Sequence, residues 1–262
     1  MSEQISANGI TMTYALDGPS DAPVVMFSAT MMCTHTIWDK QVTALVPEYR
    51  VLRHDTRGHG GSEATPGPYT LDLLADDAVA LLKALNIDAA HFVGLSLGGF
   101  IGQALACRHP GAIASLVLCD TACQMPPESM WEDRIEAVRR EGVGSFPELM
   151  VKRWFTDAYR DANPHEMAPI KKMIGAMSID GMIGCCHAVK NMNNAPILKN
   201  IKSPTLIIVG EHDISTPLAA AEVLHSGIEG SELRIIEGAA HVTNFEQPDR
   251  FNAALLEFLN RQ

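Results

Sequence analysis

No stretch of this 262-residue chain approaches the roughly 20 consecutive apolar residues needed to span a bilayer. The first ten residues also lack the basic flank and apolar centre of a signal peptide, so a cytoplasmic location without a membrane partner is expected. Basic runs are missing as well. Twenty Lys and Arg face 31 Asp and Glu, a net charge of −11, and because phosphate backbones require a basic face, no nucleic-acid partner is expected. Cys33, Cys107, Cys119, Cys123, Cys185 and Cys186 stand at spacings of neither a zinc site nor a disulfide framework, so they read as small buried hydrophobes and no metal is expected. What is present is apolar: 47% hydrophobic and 19% charged residues exclude a disordered chain and suffice for one continuous core.

Short apolar runs alternate with helical spacing along both ends of the chain. Ile10–Leu16 with Asp17-Gly18 reads as an opening hairpin, followed by strands over 23–27, 50–54, 90–93 and 114–118, and later over 205–209 and 232–236. Helical periodicity falls over 71–85, where Thr70 is a candidate N-cap, and over 99–109, 218–225 and 249–260. This alternation predicts an α/β fold with a mostly parallel, doubly wound sheet. Between residues 124 and 195 the strand pattern stops. Helical segments near 127–140, 147–162, 164–177 and 179–192 predict a helical lid inserted into a core of residues 1–123 and 196–262. Eight of the 13 methionines fall in that insertion, which suits either an adaptable apolar pocket or ordinary packing between its helices.

Gly94-Leu95-Ser96-Leu97-Gly98 lies between an apolar strand and an amphipathic helix, the context in which a strained turn exposes a nucleophilic serine. A serine hydroxyl needs a base, and the base a carboxylate. His241 follows the strand over 232–236 within Gly238-Ala239-Ala240, and Asp213 follows the strand over 205–209 within Gly210-Glu211-His212, both at strand ends where such sheets bind ligands. Asp120, after the strand over 114–118, competes with Asp213 for the role of acid. Two backbone N–H groups must receive the oxyanion, and those of Leu97 and Met31 are the candidates, the second in the loop Ser28-Ala29-Thr30-Met31-Met32. His54, His91 and His109 read as structural, and His35 and His59 as loop residues near the cleft.

Taken together, these residues resemble the α/β-hydrolase superfamily and, within it, the 3-oxoadipate enol-lactonases. The superfamily is marked by Arg57-Gly58-His59-Gly60 and the Ser96 turn. More selective for the lactonases are Gly67-Pro68-Tyr69-Thr70, Arg153-Trp154-Phe155-Thr156, and Ala240-His241-Val242-Thr243-Asn244 with Glu246. One segment departs: the lactonases carry Ser-Asn-Ser-Leu-Gly where this chain has Ser28-Ala29-Thr30-Met31-Met32, so Ala29 loses a polar anchor and Met32 adds bulk beside the expected leaving group.

The resemblance implies a cofactor-independent serine hydrolase that opens a small-molecule ester or lactone through an acyl-enzyme, here 3-oxoadipate enol-lactone from aromatic-compound breakdown. It also implies a cationic contact for an acidic substrate. Arg153 is the first candidate, ahead of Lys152, Arg134 and Lys172, with Trp131, Trp154 and Met32 as pocket walls. A broader carboxylesterase or lactonase and a hydrolase-like binding protein with vestigial turnover are the alternatives, and a homo-oligomer is compatible with each.

Overall fold

The computed structural model describes residues 2–125 and 127–262; Met1 and Pro126, the latter inside the expected insertion, lie outside the described residues. Among the described residues eight strands form one sheet: β1 (Glu3–Ala7), β2 (Ile10–Asp17), β3 (Val24–Ser28), β4 (Arg50–His54), β5 (Ala90–Leu95), β6 (Ile113–Cys119), β7 (Thr205–Gly210) and β8 (Glu232–Ile236). Their order is β1-β2-β4-β3-β5-β6-β7-β8. Only the β1/β2 and β2/β4 pairs are antiparallel. Strands β3, β5 and β7 are buried along their whole length, as runs covered on both faces must be.

Helices follow the strands: α1 (Asp39–Leu45), α2 (Leu71–Ala84), α3 (Leu97–Arg108), then α4 (Glu128–Glu141), α5 (Phe146–Trp154), α6 (Asp157–Ala162), α7 (Pro164–Gly175) and α8 (Ile179–Lys190) between β6 and β7, and finally α9 (Leu218–Gly227), α10 (Thr243–Glu246) and α11 (Pro248–Leu259). Thr70 caps α2, its hydroxyl accepting from Leu73 N at 3.0 Å. Helix α3 is buried on nearly every side, and its sequence is correspondingly apolar all round. All six cysteines are free, five of them buried, and burial pushes every one of these thiols above its ordinary pKa.

Two expectations need correction. The opening hairpin turns at Asn8-Gly9, where both residues have positive φ (47° and 77°), so Ile10–Asp17 is its second strand and Glu3–Ala7 its first. Asn-Gly is the dipeptide that favours such a two-residue turn. The helix expected over 147–162 breaks at Phe155-Thr156, because Thr156 is extended and caps α6 by accepting from Tyr159 N at 3.2 Å.

Two of the contacts that fasten helices α4–α8 to the rest of the fold are backbone to backbone. At one, α8 lies backbone to backbone on the loop after β4: a Cβ on Gly181 would stand 2.3 Å from Gly58 O, and Tyr69 N donates to Gly184 O at 3.3 Å. At the other, the buried Glu246 carboxylate accepts from Thr156 N at 2.9 Å on one oxygen and from Ala240 N at 2.8 Å on the other, while His241 N donates to Trp154 O at 3.0 Å. Two of the segments most selective for the lactonases, Arg153–Thr156 and Ala240–Asn244 with Glu246, therefore meet in space.

Candidate active site

Ser96 is the single residue between β5 and α3, and it sits at φ 52°, ψ −105°, outside the regions ordinary residues prefer. Its surroundings hold it there. Ser96 N donates to Cys119 O at 2.9 Å, and Thr121 Oγ1 donates to Ser96 O at 2.9 Å. The turn is too tight for flanking side chains: a Cβ on Gly94 would fall 2.2 Å from Gly98 O, and one on Gly98 would fall 2.2 Å from Ser28 O.

His241 lies between Ser96 and Asp213, with Nε2 3.0 Å from Ser96 Oγ and Nδ1 2.8 Å from Asp213 Oδ2. A carboxylate only accepts, so Nδ1 carries the proton and Nε2 is left to accept from the serine. Burial alone would pull the imidazole pKa down, but the charge and hydrogen bond of Asp213 outweigh it and hold the pKa above its ordinary value. Asp213 is aimed by the turn that follows it: Ser215 N and Thr216 N donate to Oδ1 at 2.7 and 3.0 Å, and Thr216 Oγ1 to Oδ2 at 2.8 Å. Burial pushes that carboxyl up, yet the neighbouring His241 and these donors bring it below the usual carboxylate range.

Asp120 is also fully buried, but it does not bond to His241. Its Oδ1 accepts from Gly210 N at 2.9 Å and its Oδ2 from Thr243 N and Oγ1 at 3.1 and 2.7 Å, so it ties the end of β6 to β7 and to the segment following His241. Geometry thus separates the two acids.

A cleft opens above Ser96, lined by Thr30, Met31, Met32, Leu97, Phe100, Trp131, Arg134, Arg153, Trp154 and His241. Every pocket residue expected from the sequence is there, whereas Lys152 and Lys172 are exposed and do not line it. Leu97 opens α3, where the first amides have no helical acceptor, and among the described residues no hydrogen bond uses the Leu97 or the Met31 N–H. Arg134 stacks its guanidinium 4.7 Å from the Trp131 ring centroid, and burial lowers its pKa, as does the like charge of Arg153. Among the described residues neither arginine is paired with a carboxylate.

Three supporting residues were not legible as such. Thr216 could have been suspected from the Asp213-x-Ser215-Thr216 spacing, which suits a side-chain-to-backbone turn. Glu246 and Asp120 act across distant segments, and no local pattern signals that.

The parallel sheet, the strained serine at the strand-to-helix turn and the late histidine define a class, and residues 27–254 match the alpha/beta hydrolase family: the chain belongs to it. Within that family it is similar to 3-oxoadipate enol-lactonase 2 of Acinetobacter baylyi, 32% identical over 99% of this chain and 97% of the relative. The enol-lactonase of Burkholderia xenovorans superposes with a TM-score of 0.96 at 35% identity, covering 98% of this chain and 100% of the other. A thermophilic esterase from Thermogutta terrifontis does so at 0.92 and 28% identity, over 100% and 98%.

Proposed function

We propose that this chain is a serine hydrolase of anionic carboxylic esters, with 3-oxoadipate enol-lactone as its substrate. The observation that carries the reading is the hydrogen-bonded chain Ser96–His241–Asp213 in a cleft that also holds two guanidinium groups without carboxylate partners among the described residues. In an acidic protein, cationic groups kept inside a cleft are matched to an anionic ligand.

Ser96 Oγ attacks the lactone carbonyl carbon as its proton passes to His241 Nε2. The oxyanion is received by the N–H groups of Leu97 and Met31. On collapse the ring C–O bond breaks, the leaving enol oxygen takes the proton from His241, and the enol tautomerises to a ketone while still part of the acyl chain on Ser96. Water, deprotonated by His241, attacks the acyl carbon, and Ser96 leaves with the returned proton. Asp213 stabilises the imidazolium in both halves. Residues 124–195 act as the cap on a core of residues 1–123 and 196–262, and Arg153, with Arg134 behind it, takes the substrate carboxylate between the walls of Trp131 and Trp154.

A broader esterase or lactonase is the second reading, favoured by Met32, whose bulk lines the cleft where the lactonases carry glycine. A fluorophosphonate should label Ser96, and Ser96→Ala should abolish turnover of both enol-lactone and p-nitrophenyl acetate. Arg153→Met should raise KM about tenfold for a carboxylate-bearing substrate, about 1.4 kcal/mol, and leave the neutral ester nearly unchanged. Labelling at another residue would end the mechanism, and equal effects on both substrates would end the anionic assignment.

A further inference from the structure

The loop Thr30-Met31-Met32-Cys33 is a β-turn closed by Cys33 N donating to Thr30 O at 3.2 Å. Such a bond leaves the amides of the two central residues unused. Met32, the second of them, has φ 68° and is 3% exposed, so its N–H is a buried donor on a left-handed backbone that residues other than glycine adopt at a cost. Something outside the turn must hold it.

We infer that His59 is a positioning residue of the oxyanion hole: through its Nδ1–H tautomer it takes the Met32 amide and so fixes the turn that presents Met31. The inference rests on the hydrolase reading above. His59 Nε2 lies 3.1 Å from Met32 N, and its Nδ1 lies 3.2 Å from Arg57 O. An amide nitrogen only donates and a carbonyl only accepts, so the ring must be protonated at Nδ1 and bare at Nε2. Burial also pushes the imidazole pKa below its ordinary value, which keeps that lone pair available.

The same segment grips the loop a second time, at the amide of His35, which donates to Asp55 Oδ1 at 2.7 Å. From the other side, Gly98 N donates to Ala29 O at 3.2 Å and joins the loop to the first turn of α3. The loop is thus clamped between the Asp55–Gly61 segment and the serine turn. Of the two spare amides, His59 consumes that of Met32 and leaves that of Met31 at the cleft. Without an acceptor at His59, the Met32 donor is buried and unsatisfied, and the central peptide of the turn is free to rotate.

Two variants separate this role from mere core packing. His59→Phe keeps the ring shape and loses the acceptor, whereas His59→Gln offers an oxygen to Met32 and an N–H to Arg57 O. In an ester assay, His59→Phe should lower kcat roughly 10- to 100-fold with little change in KM, because the loss is felt in the transition state. Affinity for a boronic acid that mimics the tetrahedral intermediate should fall by a similar factor, and His59→Gln should recover most of both. An equal loss in the two variants, or a His59→Phe enzyme with wild-type kcat, would refute the clamp. If His59→Phe does not fold, ¹⁵N imidazole spectra of the wild type decide: Nδ1 protonated and Nε2 bare at neutral pH supports the clamp, and the opposite tautomer sinks it. A wild type whose Ser96 takes no phosphonate would instead refute the hydrolase reading, independently of these spectra.

Discussion

Two buried carboxylates stand close enough to act on His241, and they differ in what holds them. Asp213 bonds the imidazole through Oδ2 and is ionised by its neighbours, while burial and the charge of Asp213 push Asp120 up to about 8. Asp213→Asn should therefore cost about 10³- to 10⁴-fold in kcat, since the imidazole loses both its tautomer and its counter-charge. Asp120→Asn should stay within about tenfold, because Asp120 makes no hydrogen bond to His241 and holds strand ends instead. Reversed losses would move the acid to β6. Turnover requires neutral His241, whose pKa the Asp213 carboxylate holds above its ordinary value, so kcat/KM should fall on the acid side with a midpoint above about 6.5. In Asp213→Asn the stronger of the two carboxylate influences on His241 is gone, so the residual activity should carry its acid limb at lower pH. Parallel pH–rate profiles measure the displacement.

Among the elements, the turn bearing Met31 and Met32 combines a left-handed backbone with a side chain that lines the cleft. Because Met32 has φ 68°, Met32→Gly should be more stable to urea than Met32→Ala by about 1 kcal/mol, the reverse of the usual order of these residues. Met32→Gly should also raise kcat/KM for the enol-lactone relative to small linear esters, since the side chain lines the cleft. A constant ratio between the two substrates would remove Met32 as a specificity element. The serine turn, the two post-strand loops and the alternating core were legible because each is encoded within a few residues by glycine placement and apolar period. The first strand was overlooked since Glu3–Ala7 is largely exposed and has no apolar run, although Asn8-Gly9 marked its end. The break at Thr156 was hidden for another reason: it depends on Glu246, ninety residues away in sequence, which takes the amide that would otherwise continue a helix.

At the scale of the whole molecule, helices α4–α8 are held on the sheet by α8 against Gly58 and by Glu246 between Thr156 and Ala240, among other contacts. The second fastening shares its backbone with His241, so the Trp154–Thr156 segment and the imidazole are positioned together. Gly181→Ala places a methyl group against backbone that cannot yield as a side chain would. It should cost about 1–3 kcal/mol and expose residues 128–190 to proteolysis before the sheet is cut. Timed digestion with mass mapping would show it, and cleavage beginning in the sheet would refute the anchoring.

The burial of the thiols has a practical side. Only a thiolate reacts readily with maleimides or spin labels, and here five cysteines are buried and all six are held toward the protonated form. The native chain should be nearly silent to such reagents at neutral pH. A cysteine introduced at Met130 on α4, which is 49% exposed and lines the cleft, would then carry a reporter at the cleft without removal of any native cysteine. Distances measured from that reporter would follow substrate entry as it happens.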